Sequence, residues 1–127
     1  MIKILLVEDN ALFRKMFKQM LINKFSGISV VEASNCADGF GKLNSQQFDL
    51  VFTDINLPDG NGLKCIGKMK ALLPDLMVVV FSFSNLIEYQ FAAIDAGARH
   101  FFSKQNLHDA KVTNLLENVF TDLKAAA

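Results

Sequence analysis

Tryptophan is absent from this sequence, tyrosine occurs once and proline twice. Neither sign of charge is in excess, since thirteen Lys and Arg balance thirteen Asp and Glu. A neutral chain with no basic cluster lacks the electrostatic footprint of sequence-independent nucleic-acid binding. Direct contact of this segment with DNA is therefore not expected, whatever a neighbouring domain does. No apolar run approaches the roughly 18 residues of a membrane span, so no membrane partner is expected either. Met1 to Val7 is apolar, but Glu8 and Asp9 follow at once without a small-residue cleavage site. It reads as a strand and not as a signal peptide. Cys36 and Cys65 stand too far apart for a paired-thiolate motif, and neither has a histidine nearby. Neither a disulfide framework nor a zinc site is expected, and a reducing cytoplasm fits.

What is present suits a single domain. Of 127 residues, half are hydrophobic and a fifth charged, the balance of an ordinary globular fold. Short apolar runs occur at Ile2–Val7, Ile28–Val31, Phe48–Phe52, Leu76–Phe81 and His100–Phe102. They are rich in Val, Ile and Phe and mostly lack polar alternation, as strands covered on both faces do. Helical spacing lies between them. Phe13, Met16, Phe17, Met20 and Leu21 form one stripe behind an Asn10 cap; Leu63, Ile66, Met69 and Leu73 form another, weakened by Gly67. Val112, Leu116, Val119 and Leu123 form the last. Pro74 and the stretch Asn56 to Gly62 mark boundaries, and Gly97 is placed to close the fourth helix in a left-handed conformation. Five repeats of strand then helix predict an α/β fold, doubly wound as (βα)5. The domain spans residues 1–123, and 124–127 are a C-terminal tail or the start of a linker.

Ligands of open α/β sheets gather beyond the carboxyl ends of the strands. Glu8 and Asp9 follow the first strand, Asp54 ends the third, Ser82 ends the fourth, and Lys104 follows the fifth. Three carboxylates in one place need a counter-charge. A divalent cation and the Lys104 ammonium would supply it. Magnesium, with manganese as a substitute, takes one or two carboxylates and keeps several waters. Asp9 and Asp54 are the expected direct ligands, with the backbone carbonyl of Asn56 completing the set and Glu8 acting through a water. The collection suits phosphoryl transfer, in which the protein mainly positions groups and neutralises charge. A carboxylate can itself be the nucleophile, and central Asp54 is the expected phosphoacceptor. Lys104 would contact the phosphoryl oxygens and Ser82 would donate a hydrogen bond to one.

These residues resemble, over nearly the whole length, the receiver domain of two-component response regulators. The matching pieces are Leu6 to Asn10, Asp49 to Pro58, Gly60 to Gly62, Ser82, Ala96-Gly97-Ala98 and Phe102-Ser103-Lys104. The resemblance implies a flavodoxin-like parallel sheet in the order 2-1-3-4-5. It implies a phosphohistidine donor on a sensor histidine kinase or histidine phosphotransfer protein. It also implies a switch in which Ser82 moves toward the phosphoryl group, Phe102 swings inward, and the fourth helix, fifth strand and fifth helix are remodelled. A homodimer on phosphorylation would follow. The domain would modify itself and would not be a turnover enzyme on a separate substrate. Two positions depart from the common pattern. Gln105 follows Lys104 where many receivers have proline; with Leu12-Phe13-Arg14 this points to regulators with a helix-turn-helix output of the nitrate-response and quorum-sensing type. Phe83 stands where a small residue is usual and would act as a gate that slows a donor or attacking water.

Plainer readings exist for each residue. Glu8 and Asp9 suit a helix start, Asp54 a turn, Ser82 or Ser84 a backbone cap, Lys104 a solvated surface, and Phe102 the core. Phe101 should face the other way from Phe102, and His100 and His108 should lie at the surface. An unphosphorylated interaction module with the same fold is the alternative that Phe83 favours. A flavin site is disfavoured, because Glu8 and Asp9 in the first loop would repel a phosphate.

Overall fold

A computed structural model describes residues 1–84 and 86–126. Five parallel strands form the main sheet: β1 (Ile2–Val7), β2 (Ile28–Ala33), β3 (Leu50–Asp54), β6 (Met77–Ser82) and β7 (His100–Ser103). Its order is β2-β1-β3-β6-β7. Leaving out a two-residue hairpin, β4 (Asn56–Leu57) with β5 (Gly60–Asn61), this is the expected 2-1-3-4-5. The hairpin was not foreseen. Five helices cover the sheet: α1 (Ala11–Lys24), α2 (Cys36–Ser45), α3 (Gly62–Leu72), α4 (Ile87–Ala96) and α5 (Ala110–Ala126). Lys124 to Ala126 thus extend α5, and Ala127 lies outside the described residues.

The strands lack polar alternation because each face feeds its own core. Side chains alternate across a strand. Ile4, Leu6, Leu50, Phe52, Val79, Phe81 and Phe102 pack with α1 and α5 through Phe13, Phe17, Leu21, Val112, Leu116 and Val119. Leu5, Val7, Val51, Val78 and Val80 pack on the other side with α2, α3 and α4 through Leu43, Ile66, Met69 and Ala93. Phe101 joins that second layer, opposite Phe102, as its neighbouring position requires. Strand register aligns the carboxyl ends, with Val7 beside Thr53, Asp54 beside Phe81 and Ser82 beside Ser103.

Local chemistry sets the helix ends. Asn10 caps α1, its side chain accepting from the Phe13 amide at 2.9 Å. Gly97, at φ 118°, ends α4 in the left-handed region. A Cβ there would stand 2.8 Å from Lys70 Cγ, so the position demands glycine twice over. In α1 the buried line is Phe13, Phe17 and Leu21, while Met16 is exposed. The helix meets the sheet on an i, i+4, i+8 line, narrower than the stripe suggested. Helix α4 is thinly anchored. Ala93 is its only buried residue, while Leu86 beside it and Ile87, Phe91 and Ile94 along it are exposed.

Two sequence expectations need correction. Cys36 and Cys65 are joined by a disulfide, with Cα atoms 6.1 Å apart. Separation along the chain misled, because successive crossovers lay α2 and α3 side by side on one face of the sheet. His100 is half-buried, and its Nε2 has no hydrogen-bond partner among the described residues; His108 is exposed, as anticipated. Burial, with the neighbouring Arg99 charge, holds the His100 imidazole below its usual 6.5. The unfolded chain then binds the proton more readily, so this residue's contribution is present above 6.5 and lost as pH falls through the lowered value. Urea midpoints of wild type should therefore drop on acidification below about pH 6.5 relative to those of His100→Gln. Parallel curves for the two proteins would contradict this.

Candidate functional site

The aligned strand ends build one acidic cup. Glu8, just past β1, is 1% exposed, and Asp54, the last residue of β3, is 6% exposed. Lys104 follows β7 as the first residue of a single 3-10 turn whose start is capped by the Ser103 hydroxyl. Its ammonium donates to Asp54 Oδ2 at 2.7 Å and also to Glu8 Oε1. Residues 96 apart in sequence are thereby in direct contact. The remaining carboxylate oxygens are engaged too. Asp54 Oδ1 accepts from the Asn56 amide at 3.0 Å, and Glu8 Oε2 from the Asp9 amide at 3.1 Å. Asp9 stands exposed beside them.

Burial pushes the Glu8 carboxyl up to about 7; the Lys104 hydrogen bond opposes this and neighbouring Asp54 adds to it. Enclosure thus disfavours the charged Glu8 more than its bond to the ammonium favours it. Among the described residues no three His, Cys, Asp or Glu side chains form a ready metal cage. Magnesium does not require one, since it binds through one or two carboxylates and keeps its waters. The donor set fits such an ion: an exposed Asp9, a buried Asp54, and Glu8, whose charge burial disfavours.

Ser82 is 1% exposed and ends β6, and its hydroxyl accepts from the Ser84 amide at 3.2 Å. Of the two serines, Ser82 is the one at the strand end. Phe102 is 4% exposed and lies against Phe81 and Phe17, with centroids 5.7 and 5.9 Å away. Phe83 is exposed, yet its ring lies 4.7 Å from Lys104 Nζ and edge-on to Phe13.

Three neighbours escaped the sequence reading. Phe13 was placed in a core stripe, but its ring centroid lies 4.4 Å from Lys104 Nζ. With Phe81 at 5.3 Å and Phe83, it surrounds the ammonium with aromatic faces, which attract cations. Gln105 was noted only as a departure; its Nε2 donates to the Phe83 carbonyl at 2.8 Å. Arg14 donates to the Glu8 carbonyl at 2.7 Å and to Glu32 at 3.0 Å. Only the Leu12-Phe13-Arg14 stretch carried any sign of these contacts.

The chain is similar to known proteins over most of its length. The response regulator receiver domain model matches residues 4–117. The nitrate/nitrite response regulator protein NarL of Escherichia coli K12 is 37% identical over 102 residues, 80% of this chain and 47% of that protein. A protein-glutamate methylesterase/protein-glutamine glutaminase of Rhodospirillum rubrum is 33% identical over 105 residues, 82% of this chain and 28% of that protein. The chain thus spans less than half the length of these relatives. Among solved structures, a CheY-like receiver domain protein from Methanospirillum hungatei superposes with a TM-score of 0.82 at 26% identity, covering 98% of this chain and 95% of that one.

Proposed function

This chain belongs to the response regulator receiver domain family, and from that premise we propose that it takes a phosphoryl group onto Asp54 from a phosphohistidine. The donor would be a sensor histidine kinase or a histidine phosphotransfer protein, and the setting the cytoplasm. No described helix is long and apolar enough to cross a membrane. The observation that carries the reading is the Lys104 ammonium between Glu8 and Asp54 at the carboxyl edge of the sheet.

An Asp54 carboxylate oxygen attacks phosphorus while the bond from phosphorus to the histidine nitrogen breaks, leaving an acyl phosphate. Attack through Oδ2 displaces the ammonium and attack through Oδ1 displaces the Asn56 amide, because these are their present partners. Lys104 then pairs with a phosphoryl oxygen, and Ser82 gives up Ser84 to donate to another. Asp9, Asp54 and the Asn56 carbonyl, with Glu8 through a water, would hold a magnesium ion, which would supply neutralisation of phosphoryl charge. Phosphorylation takes Asp54 from one negative charge to about −2. The inward swing expected of Phe102 is corrected by its burial: it already lies against Phe17 and Phe81 on the α1/α5 side. Closure of Ser82 would instead leave room on the α4 side of the sheet, where half-buried Phe101 lies, remodelling α4, β7 and α5. The exposed Ile87, Phe91 and Ile94 on α4 make that surface suited to a second copy or to an output domain. Residues 1–123 constitute the domain in this reading, and an output domain of helix-turn-helix type is the expected attachment.

Incubation with magnesium and acetyl phosphate tests the proposal. One phosphate should appear, be released by hydroxylamine and be absent from Asp54→Asn. Labelling that survives in Asp54→Asn sinks it. A second reading is favoured by Phe83 over Lys104, that of an interaction module that is never phosphorylated; no labelling of wild type at any magnesium concentration would select it.

Phe83→Ala separates a gate from a dead site. Removing one aromatic face from a cation is worth about 1 kcal/mol, or roughly fivefold in rate. Phosphorylation and dephosphorylation should both quicken by about that factor. Unchanged rates for both would dismiss Phe83 as a gate.

A further inference from the structure

The Cys36–Cys65 bond takes no part in the chemistry above, yet it encloses the proposed acceptor. Asp54 lies between the two cysteines in sequence, so the bond closes a covalent ring containing α2, β3, Asp54, the hairpin loop and the start of α3. Cys36 is the first residue of α2 and half-buried, while Cys65 in α3 is 2% exposed.

The loop after Asp54 is tied to the same ring without covalent bonds. Both Asp59 carboxylate oxygens accept from α2, one from the Cys36 amide and one from the Ala37 amide, each at 2.9 Å. These bonds hold the Asp59 carboxyl below its usual value. At the far end of the loop the Gly62 amide donates to the Ile55 carbonyl at 2.8 Å. A Cβ on Gly62 would stand 2.2 Å from that carbonyl oxygen, so the backbone passes as closely as only glycine allows. Asn56, which donates to Asp54, lies inside this clasp.

We propose that Cys36 and Cys65 are a reversible redox-modification site that sets the rigidity of the loop beside Asp54, with a small thiol–disulfide couple of the glutathione class as co-reactant. The half concerning phosphorylation rests on the reading of Asp54 as acceptor; the half concerning the loop does not. Disulfides in reducing compartments are characteristically transient and redox-sensing, and Cα atoms 6.1 Å apart need no backbone movement to be bridged. Oxidation begins with the Cys36 thiolate attacking the small disulfide, which releases one small thiolate that takes up the Cys36 proton. The Cys65 thiolate then attacks Cys36 Sγ and expels the second small thiolate, which takes up the Cys65 proton. Two electrons pass from the protein to the co-reactant, and two small thiols are formed. Cys36 is the point of attack in both directions, because it is the more accessible of the two residues.

The test uses the whole chain equilibrated in glutathione buffers from reducing to oxidising. Alkylation and mass measurement count free thiols, and amide exchange is followed at Ala37, Asn56 and Gly62. The two thiols should disappear together, with exchange about tenfold slower in the oxidised form and magnesium held more tightly by about threefold. Cys36→Ser and Cys65→Ser, neither able to close the ring, should match reduced wild type under all buffers. Thiols that alkylate at every ratio, or equal exchange in the two forms, would overturn the proposal. If neither form takes phosphate while the exchange difference stands, the acceptor reading fails and the redox site is upheld.

Discussion

Lys104→Met should cost about 3 kcal/mol of folding stability near pH 8 in metal-free buffer. The substitution leaves Glu8 and Asp54, both nearly inaccessible, facing one another without their shared ammonium. Breaking a buried pair by removing one partner is the expensive case, because an uncompensated charge stays behind. The methionine still packs among Phe13, Phe81 and Phe83, so lost volume is a small part of the effect. The penalty should shrink in acid. With the ammonium gone, one of the influences that hold the Glu8 carboxyl down is removed, and its folded value climbs further above about 7. The native state then takes up a proton that the unfolded chain, titrating near 4.5, does not. Stability of the variant relative to wild type must rise as pH falls through that range. Urea unfolding near pH 8 and near pH 5.5 decides the matter, and an equal loss at both would remove the electrostatic explanation.

Glu8→Gln should act in the opposite direction. The glutamate is raised to about 7 in the native protein against 4.5 as its ordinary value. Above both values it is ionised folded and unfolded, and the native state carries the full penalty of burying it. As pH falls from 7 to 4.5 the native form is protonated first, and the penalty fades. Glutamine removes the charge while keeping an oxygen for Lys104. A gain of about 2 kcal/mol near pH 8, vanishing near pH 4.5, is the expected outcome. The same variant should lose much of the stabilisation that added magnesium gives wild type, since a ligand stabilises in proportion to how well it binds the native form. A variant no more stable than wild type near pH 8 would mean that the buried carboxylate carries no such cost.

The strands could be read from sequence because both faces of the central ones are buried, so apolar runs such as Ile2–Val7 and Leu76–Phe81 stand out against the helices. The cup could be read for a related reason. Parallel strands in register put whatever follows them at one edge, so Glu8, Asp54, Ser82 and Lys104 converge once the strands are placed. What stayed hidden depends on how helices lie against the sheet. Phe13 looked like any core phenylalanine, and only the orientation of α1 sets its ring over Lys104. The contact between α2 and α3 that joins Cys36 to Cys65 leaves no local trace. His100 reads as a polar residue at the start of a strand, and nothing nearby says that its Nε2 will be enclosed.

Ala93 is the one fully buried side chain of α4, with Ala96 partly buried beside it. Covering so small a side chain contributes about 1 kcal/mol, whereas a hydrogen bond to a charged group contributes roughly 1.5–3 kcal/mol. A new contact of that kind at Ser82, were it to form on phosphorylation, would exceed what that one side chain contributes. Light burial of α4 gives a distant chemical event comparatively little packing to undo there.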